Sequence, residues 1–148
     1  ALVLAAGLAA VAPAATVAAE PTPQPYGENI TTAEAKAVLA KAEAEANRLG
    51  VKVGIAVADK DGVLVAFERM EGVNPNAAQR APLKAAAAAI WRRPTETWTA
   101  PSPGAALVSR PNGGVVILKG GKVVGGLGVS SNPEHETEIA RLAAGVLH

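Results

Sequence analysis

The chain has 148 residues carrying 14 basic and 13 acidic side chains, a net charge of +1. That length suits one domain, and so balanced a charge provides no strong field to draw nucleic acid or an anionic membrane. The aromatic residues Tyr26, Phe67, Trp91 and Trp98 are too few for a base-stacking platform, and the lack of cysteine excludes disulfides, a thiol nucleophile and thiolate-bound metals.

Residues 1–19 contain no charged side chain and include the apolar run ALVLAAGLAAV before Pro13. They read as the apolar part of a secretory signal, truncated at its start, with Val17-Ala18-Ala19 supplying the small residues of a cleavage site. The run is too short to cross a bilayer, which takes about 20 apolar residues. The mature protein is therefore expected to be exported, periplasmic or secreted, with no membrane association once the signal is removed. Residues 20–29, with Pro21, Pro23 and Pro25, form a proline-rich linker, and residues 30–148 a single domain.

Within that domain Thr31 precedes Glu34 by three residues, the spacing of a capping box. Ala35, Val38, Leu39, Ala42, Ala46 and Leu49 then follow helical periodicity, and Gly50 stands where a left-handed stop is expected. From Val51 the period becomes two, with Val51, Val53, Ile55 and Val57 on one face. Asp61-Gly62 marks a tight turn, and Val63, Val65 and Phe67 carry the returning strand. Asn74-Pro75-Asn76 breaks the chain before an alanine-dense helix, expected to start near Asn76, kink at Pro82 and stop at Pro94. A proline- and glycine-rich loop follows. Val115 to Leu118 and Val123 to Val129 form a second hairpin around Lys119-Gly120-Gly121-Lys122. Asn132-Pro133-Glu134 has the order cap, proline, acid that opens a last helix with the stripe Ile139, Leu142, Ala143, Val146 and Leu147. The fold class is α+β, an antiparallel sheet of two hairpins (four to five strands) with flanking helices.

Ala85 to Ala89 and the strand Gly125-Gly126-Leu127-Gly128 are both poor in side chains. They either let helix and sheet approach closely or clear room for a flat ligand or an anion. On the first reading, leucine at Gly126 or Ala87 should prevent folding.

The blocks ITTAEAKAVLAKAEAEANRLGVKVGIAVADKDGVLVAFERMEG, KAAAAAIWRRPTE and SRPNGGVVILKGGKVVGGLGVSSNPEHETEIA, in this order, resemble the GlcG/HbpS-like family of haem-binding proteins. The resemblance covers essentially Ile30 to Leu147. It implies a profilin-like domain that assembles as a homo-oligomer and binds haem; with so few iron-ligating side chains in the chain, that haem is expected to be weakly held or exchangeable. Where the family often shows Gln-Asp, this chain has His135-Glu136.

Several residues are candidates for a site. Arg92 and Arg93 end the alanine helix, where cations suit the carbonyl end, and a guanidinium there would pair with a ligand carboxylate such as a haem propionate. Thr95 follows at the end of the RRPT block, and the resemblance implies a hydroxyl near haem iron. Lys84 precedes an apolar helix face, where burial tunes an amine for chemistry. The residue types that ligate haem iron are, in the mature chain, Tyr26, Met70, His135 and His148. Tyr26 and His148 lie in a linker and at a terminus, which argues for mobility. His135 with Glu136 could hold a divalent cation. No GxSxG, HExxH or Ser/His/Asp arrangement is present. The expected function is an exported haem-binding or haem-handling protein, its ligand held near a basic helix end and a subunit interface. The alternative is a small-molecule enzyme or accessory factor that uses Lys84 and an arginine on a carboxylate metabolite.

Overall fold

The computed structural model describes residues 22–97, 112–131 and 134–147; the predicted signal segment, Trp98, most of the proline-rich loop, Asn132-Pro133 and His148 lie outside them. Helix α1 (Thr32–Arg48) opens with the expected capping box: Glu34 N donates to Thr31 Oγ1 (3.2 Å) while Thr31 N donates to Glu34 Oε2 (2.9 Å). Gly50, at φ 69°, takes the left-handed conformation just past its end.

Strands β1 (Gly54–Asp59) and β2 (Leu64–Arg69) form the first hairpin. Its turn is held by Asp59 Oδ1, which accepts from the backbone N–H groups of Asp61 and Val63 (2.9 Å each). Strands β3 (Gly114–Lys119) and β4 (Lys122–Ser130) form the second. Gly120 and Gly121 both have positive φ at its tip, as a two-residue turn matched to strand twist requires. The hairpins join through β1 and β4 into one antiparallel sheet of order β2-β1-β4-β3.

Helix α2 (Pro75–Trp91) lies on one face of the sheet; α1 and α3 (Glu136–Ala144) lie on the other. Ala35, Val38, Ala42 and Ala46 of α1 and Ile139, Ala140 and Ala143 of α3 enclose the larger core with Ile55, Val57, Ile117, Leu127 and Val129. Ala56 and Ala58 form a second, thinner core with Ala81 and Ala85 of α2.

That thinness follows from contact between backbones. A Cβ on Gly126 would overlap the Ala85 carbonyl oxygen and lie 2.9 Å from Ala89 N; one on Gly128 would overlap the Ala81 carbonyl oxygen and lie 2.7 Å from Ala85 N. The bare strand therefore receives the helix itself, the first of the two readings above.

Four local expectations need correction. Strand β1 begins at Gly54 rather than Val51, and its alanine face is as buried as its branched face because helices cover both. Val63 falls just before β2, which begins at Leu64, and both Val63 and Phe67 are exposed because β2 is an edge strand. Helix α2 starts at Pro75, beside the expected Asn76, where Asn74 caps it by accepting from Asn76 N (2.8 Å), and it holds Pro82 in its interior. Ala87 is only partly buried, so the tight positions on α2 are Ala81, Ala85 and Ala89. Helix α3 starts at Glu136, two residues beyond Glu134.

Candidate functional site

The proline-rich stretch is attached to the domain at its end. Tyr26 bridges to Val123 of β4, and Gly27 N donates to Val123 O (2.9 Å). The Tyr26 hydroxyl meets the carbonyls of Ala89 (3.1 Å) and Ile90 (3.0 Å), acceptors that the end of α2 leaves without helical partners. Arg92, left-handed at φ 54°, donates to Gln24 O (3.1 Å) and stacks 4.9 Å from the centre of the Tyr26 ring. The mobility expected of Tyr26 is thus not what the structure shows, and the phenol and the Arg92 guanidinium are occupied with each other and with the helix end.

Thr95, at the start of a short 3-10 turn (Thr95–Thr97), is completely buried, and its Oγ1 accepts from Gly114 N (3.1 Å). Glu96 beside it takes an ion pair from Arg141 and a hydrogen bond from Thr137 Oγ1 (3.3 Å), joining the turn to α3. Next to this corner an apolar groove of about 390 Å³ runs over the β3 edge, lined by Pro94, Val115, Val116, Leu118, Arg141 and Leu147 among others. Arg93 is partly buried at the same helix end.

Lys84 and Glu136 are both fully buried and face each other, Nζ to Oε2 2.8 Å. Lys84 Nζ also reaches Val129 O (3.4 Å), and the other Glu136 oxygen accepts from Ser131 N (2.6 Å). Sequence reasoning proposed both residues but for different sites, Lys84 with the arginines and Glu136 with His135. A lysine and a glutamate 52 positions apart carry no local signal of pairing; only the sheet between them brings them together.

Glu136 is accordingly turned away from His135, whose Nδ1 lies 3.5 Å from Glu138 Oε2 at the surface. Among the described residues, no three His, Asp or Glu side chains converge as a metal site. What His135 does line is the larger cleft, about 600 Å³, with Val51, Lys52, Gly72, Val73, Asn74, Ser131 and Glu134. It opens where β1 begins, α2 begins and β4 hands over to α3. That is the opposite end of α2 from Arg92, roughly 25 Å away at 1.5 Å per residue. Lys52 was not anticipated; its place in the alternating run Val51-Lys52-Val53 signalled exposure but not a cleft. Of the other iron-ligand candidates, Met70 is buried in the larger core.

These features define a small three-layer α+β domain with a ligand-sized cleft at one end of its sheet and an apolar groove along an edge. A model of the family described as "Haem degrading protein HbpS-like" matches residues 30–145, and the chain belongs to that family. Protein GlcG of Escherichia coli K12 is 35% identical over 108 residues, 65% of this chain and 77% of that protein. A double mutant of Streptomyces reticuli HbpS has a similar structure, with a TM-score of 0.71 at 28% identity, covering 95% of this chain and 99% of that one. A PduOC:heme complex matches with a TM-score of 0.70 at 25% identity, over 81% and 96% of the two chains.

Proposed function

We propose that this protein binds and handles haem, and that it does so in the cleft rimmed by His135. The family description and the haem complex of a similar fold support haem as the ligand class. The observation that carries the site is the fate of the iron-ligand candidates among the described residues: Tyr26 is bound to the end of α2, Met70 lies in the core, and His135 stands on the rim of the larger cleft. The residues there suit haem. Val51 and Val73 offer apolar wall, Lys52 offers a cation for a propionate, and His135 offers an imidazole. Bound haem would supply iron for redox chemistry; the chain's own contribution is to hold and orient it. Titration of the mature chain with hemin, followed by absorbance, tests the proposal, with a saturable spectrum expected for the parent and a weaker, altered one for His135→Ala.

A second placement, at the basic helix end, is favoured by the apolar groove that begins at Pro94 and carries Arg141. If haem lies there, Arg93→Ala and Arg141→Ala will weaken binding and His135→Ala will not. The alternative of carboxylate chemistry at Lys84 has less support, because that ammonium is fully buried against Glu136. We further propose export through the segment 1–19, and homo-oligomer assembly driven by exposed apolar side chains such as Leu64, Phe67, Leu83 and Ile90. Light scattering of the purified domain tests the assembly, and a monomer would refute it.

A further inference from the structure

We propose that Lys84 and Glu136 are a positioning pair for His135, setting the imidazole on the cleft rim from beneath. The inference rests on the haem site proposed above and gives a task to a buried pair that the site does not otherwise use. The Glu136 carboxylate binds in two directions. One oxygen accepts from Ser131 N (2.6 Å), a connection that joins the residue after β4 to the first residue of α3. The other accepts from Lys84 Nζ (2.8 Å), which anchors that connection to α2 on the far face of the sheet. Ser131 and His135, both rim residues of the cleft, thus adjoin the Glu136 side chain, one through its backbone N–H and the other as its neighbour in the chain.

His135 has no side-chain bond that caps α3, and on its own helix its Nδ1 lies 3.5 Å from the surface carboxylate of Glu138. What fixes its direction is the residue after it: with Glu136 drawn inward, His135 is presented outward. Thr137 supports the same register by accepting from Gly113 N (3.3 Å) and donating to Glu96. A carboxylate held on two sides and acting on a neighbouring residue through the backbone, without touching its ring, is a positioning element.

The test uses the full mature chain with two variants. Glu136→Gln keeps the shape and the acceptor for Ser131 N but sets an amide against Lys84; Lys84→Met with Glu136→Leu removes both charges of the pair together. Ligand-free NMR spectra are read at the His135 ring and at the amides of Ser131, Glu134 and His135, and hemin affinity is measured in the parent and in a His135→Ala background. Both variants are expected to shift and broaden the ring signals and to weaken hemin binding. In the His135→Ala background the same changes should have no further effect on hemin, which a merely structural role would not produce. Folded variants whose ring signals superimpose on the parent's, or equal hemin losses in both backgrounds, would overturn the proposal. Should the double variant fail to fold, Glu136→Gln decides alone. Failure of the haem site itself shows separately, as parent and His135→Ala titrating alike, while the ligand-free spectra still judge the positioning.

Discussion

Adding one methyl group at Gly126 probes the contact on which the architecture rests. The new Cβ would overlap the Ala85 carbonyl oxygen and come within 2.9 Å of Ala89 N, both backbone atoms of α2 that no rotamer change can move aside. Relief requires the whole helix to withdraw by about 1 Å, a gap that forfeits a quarter to a half of the dispersion attraction across the interface. Overpacking typically costs about 1–3 kcal/mol, and a rigid backbone obstacle places Gly126→Ala at or above the upper end. At about 4 °C per kcal/mol for a domain of this size, the melting temperature should fall by roughly 12 °C or more. Gly145→Ala is the control: its Cβ would meet Leu142 O at 3.6 Å, ordinary contact, and φ is −76°. It should be neutral, or stabilising by up to about 1 kcal/mol through the unfolded chain. Thermal unfolding by circular dichroism reads both variants. A Gly126→Ala protein melting within 2–3 °C of the parent, on the order of half a kcal/mol, would refute the backbone-on-backbone account.

Three further outcomes follow from particular contacts. Lys84→Met leaves the Glu136 carboxylate buried without its cation and should cost about 3–5 kcal/mol in chemical denaturation, whereas Lys84→Met with Glu136→Leu should recover most of that loss. Tyr26→Phe removes the hydroxyl that serves the Ala89 and Ile90 carbonyls; the expected cost is about 1 kcal/mol, with faster proteolysis of the segment before Ile30. The Lys119 ammonium and the Thr31 backbone and hydroxyl hold the Glu34 carboxyl at about 2, below its ordinary 4.5. Its folded value is depressed, so its contribution is complete above pH 4.5 and is lost as pH falls toward 2. The melting-temperature gap between parent and Glu34→Gln should be full at pH 6 and close across that window; a gap independent of pH would contradict the assignment.

The elements that the sequence made legible are those with local causes. Thr31 and Glu34 cap α1 because both partners lie within one turn, and Gly120-Gly121 turns the second hairpin because both need positive φ. Side-chain-poor stretches at Ala85–Ala89 and Gly125–Gly128 foretold the close layer, although only the helix's rotation on the sheet showed that Ala81, Ala85 and Ala89 face it while Ala87 turns outward. Alternation in β1 misled because helices cover both sides of the sheet, so its alanine face is buried as deeply as its valine face. The site was less legible. Lys84, Thr95, His135 and Glu136 were singled out, but the partnerships between them are long-range: Lys84 with Glu136 across β4, and Thr95 with Gly114 across the loop. Arg92 looked free for a ligand because nothing in the local sequence shows that Tyr26, 66 positions earlier, returns to lie beneath it.

The most direct measurement is hemin titration of the chain from residue 20 onward beside its His135→Ala, Arg93→Ala and Arg141→Ala variants. The proposed site predicts a saturable spectrum for the parent, retained by both arginine variants, with affinity and band position changed by His135→Ala alone. A parent that gives no saturable spectrum would contradict haem as the ligand, and a His135→Ala protein indistinguishable from the parent would contradict the cleft.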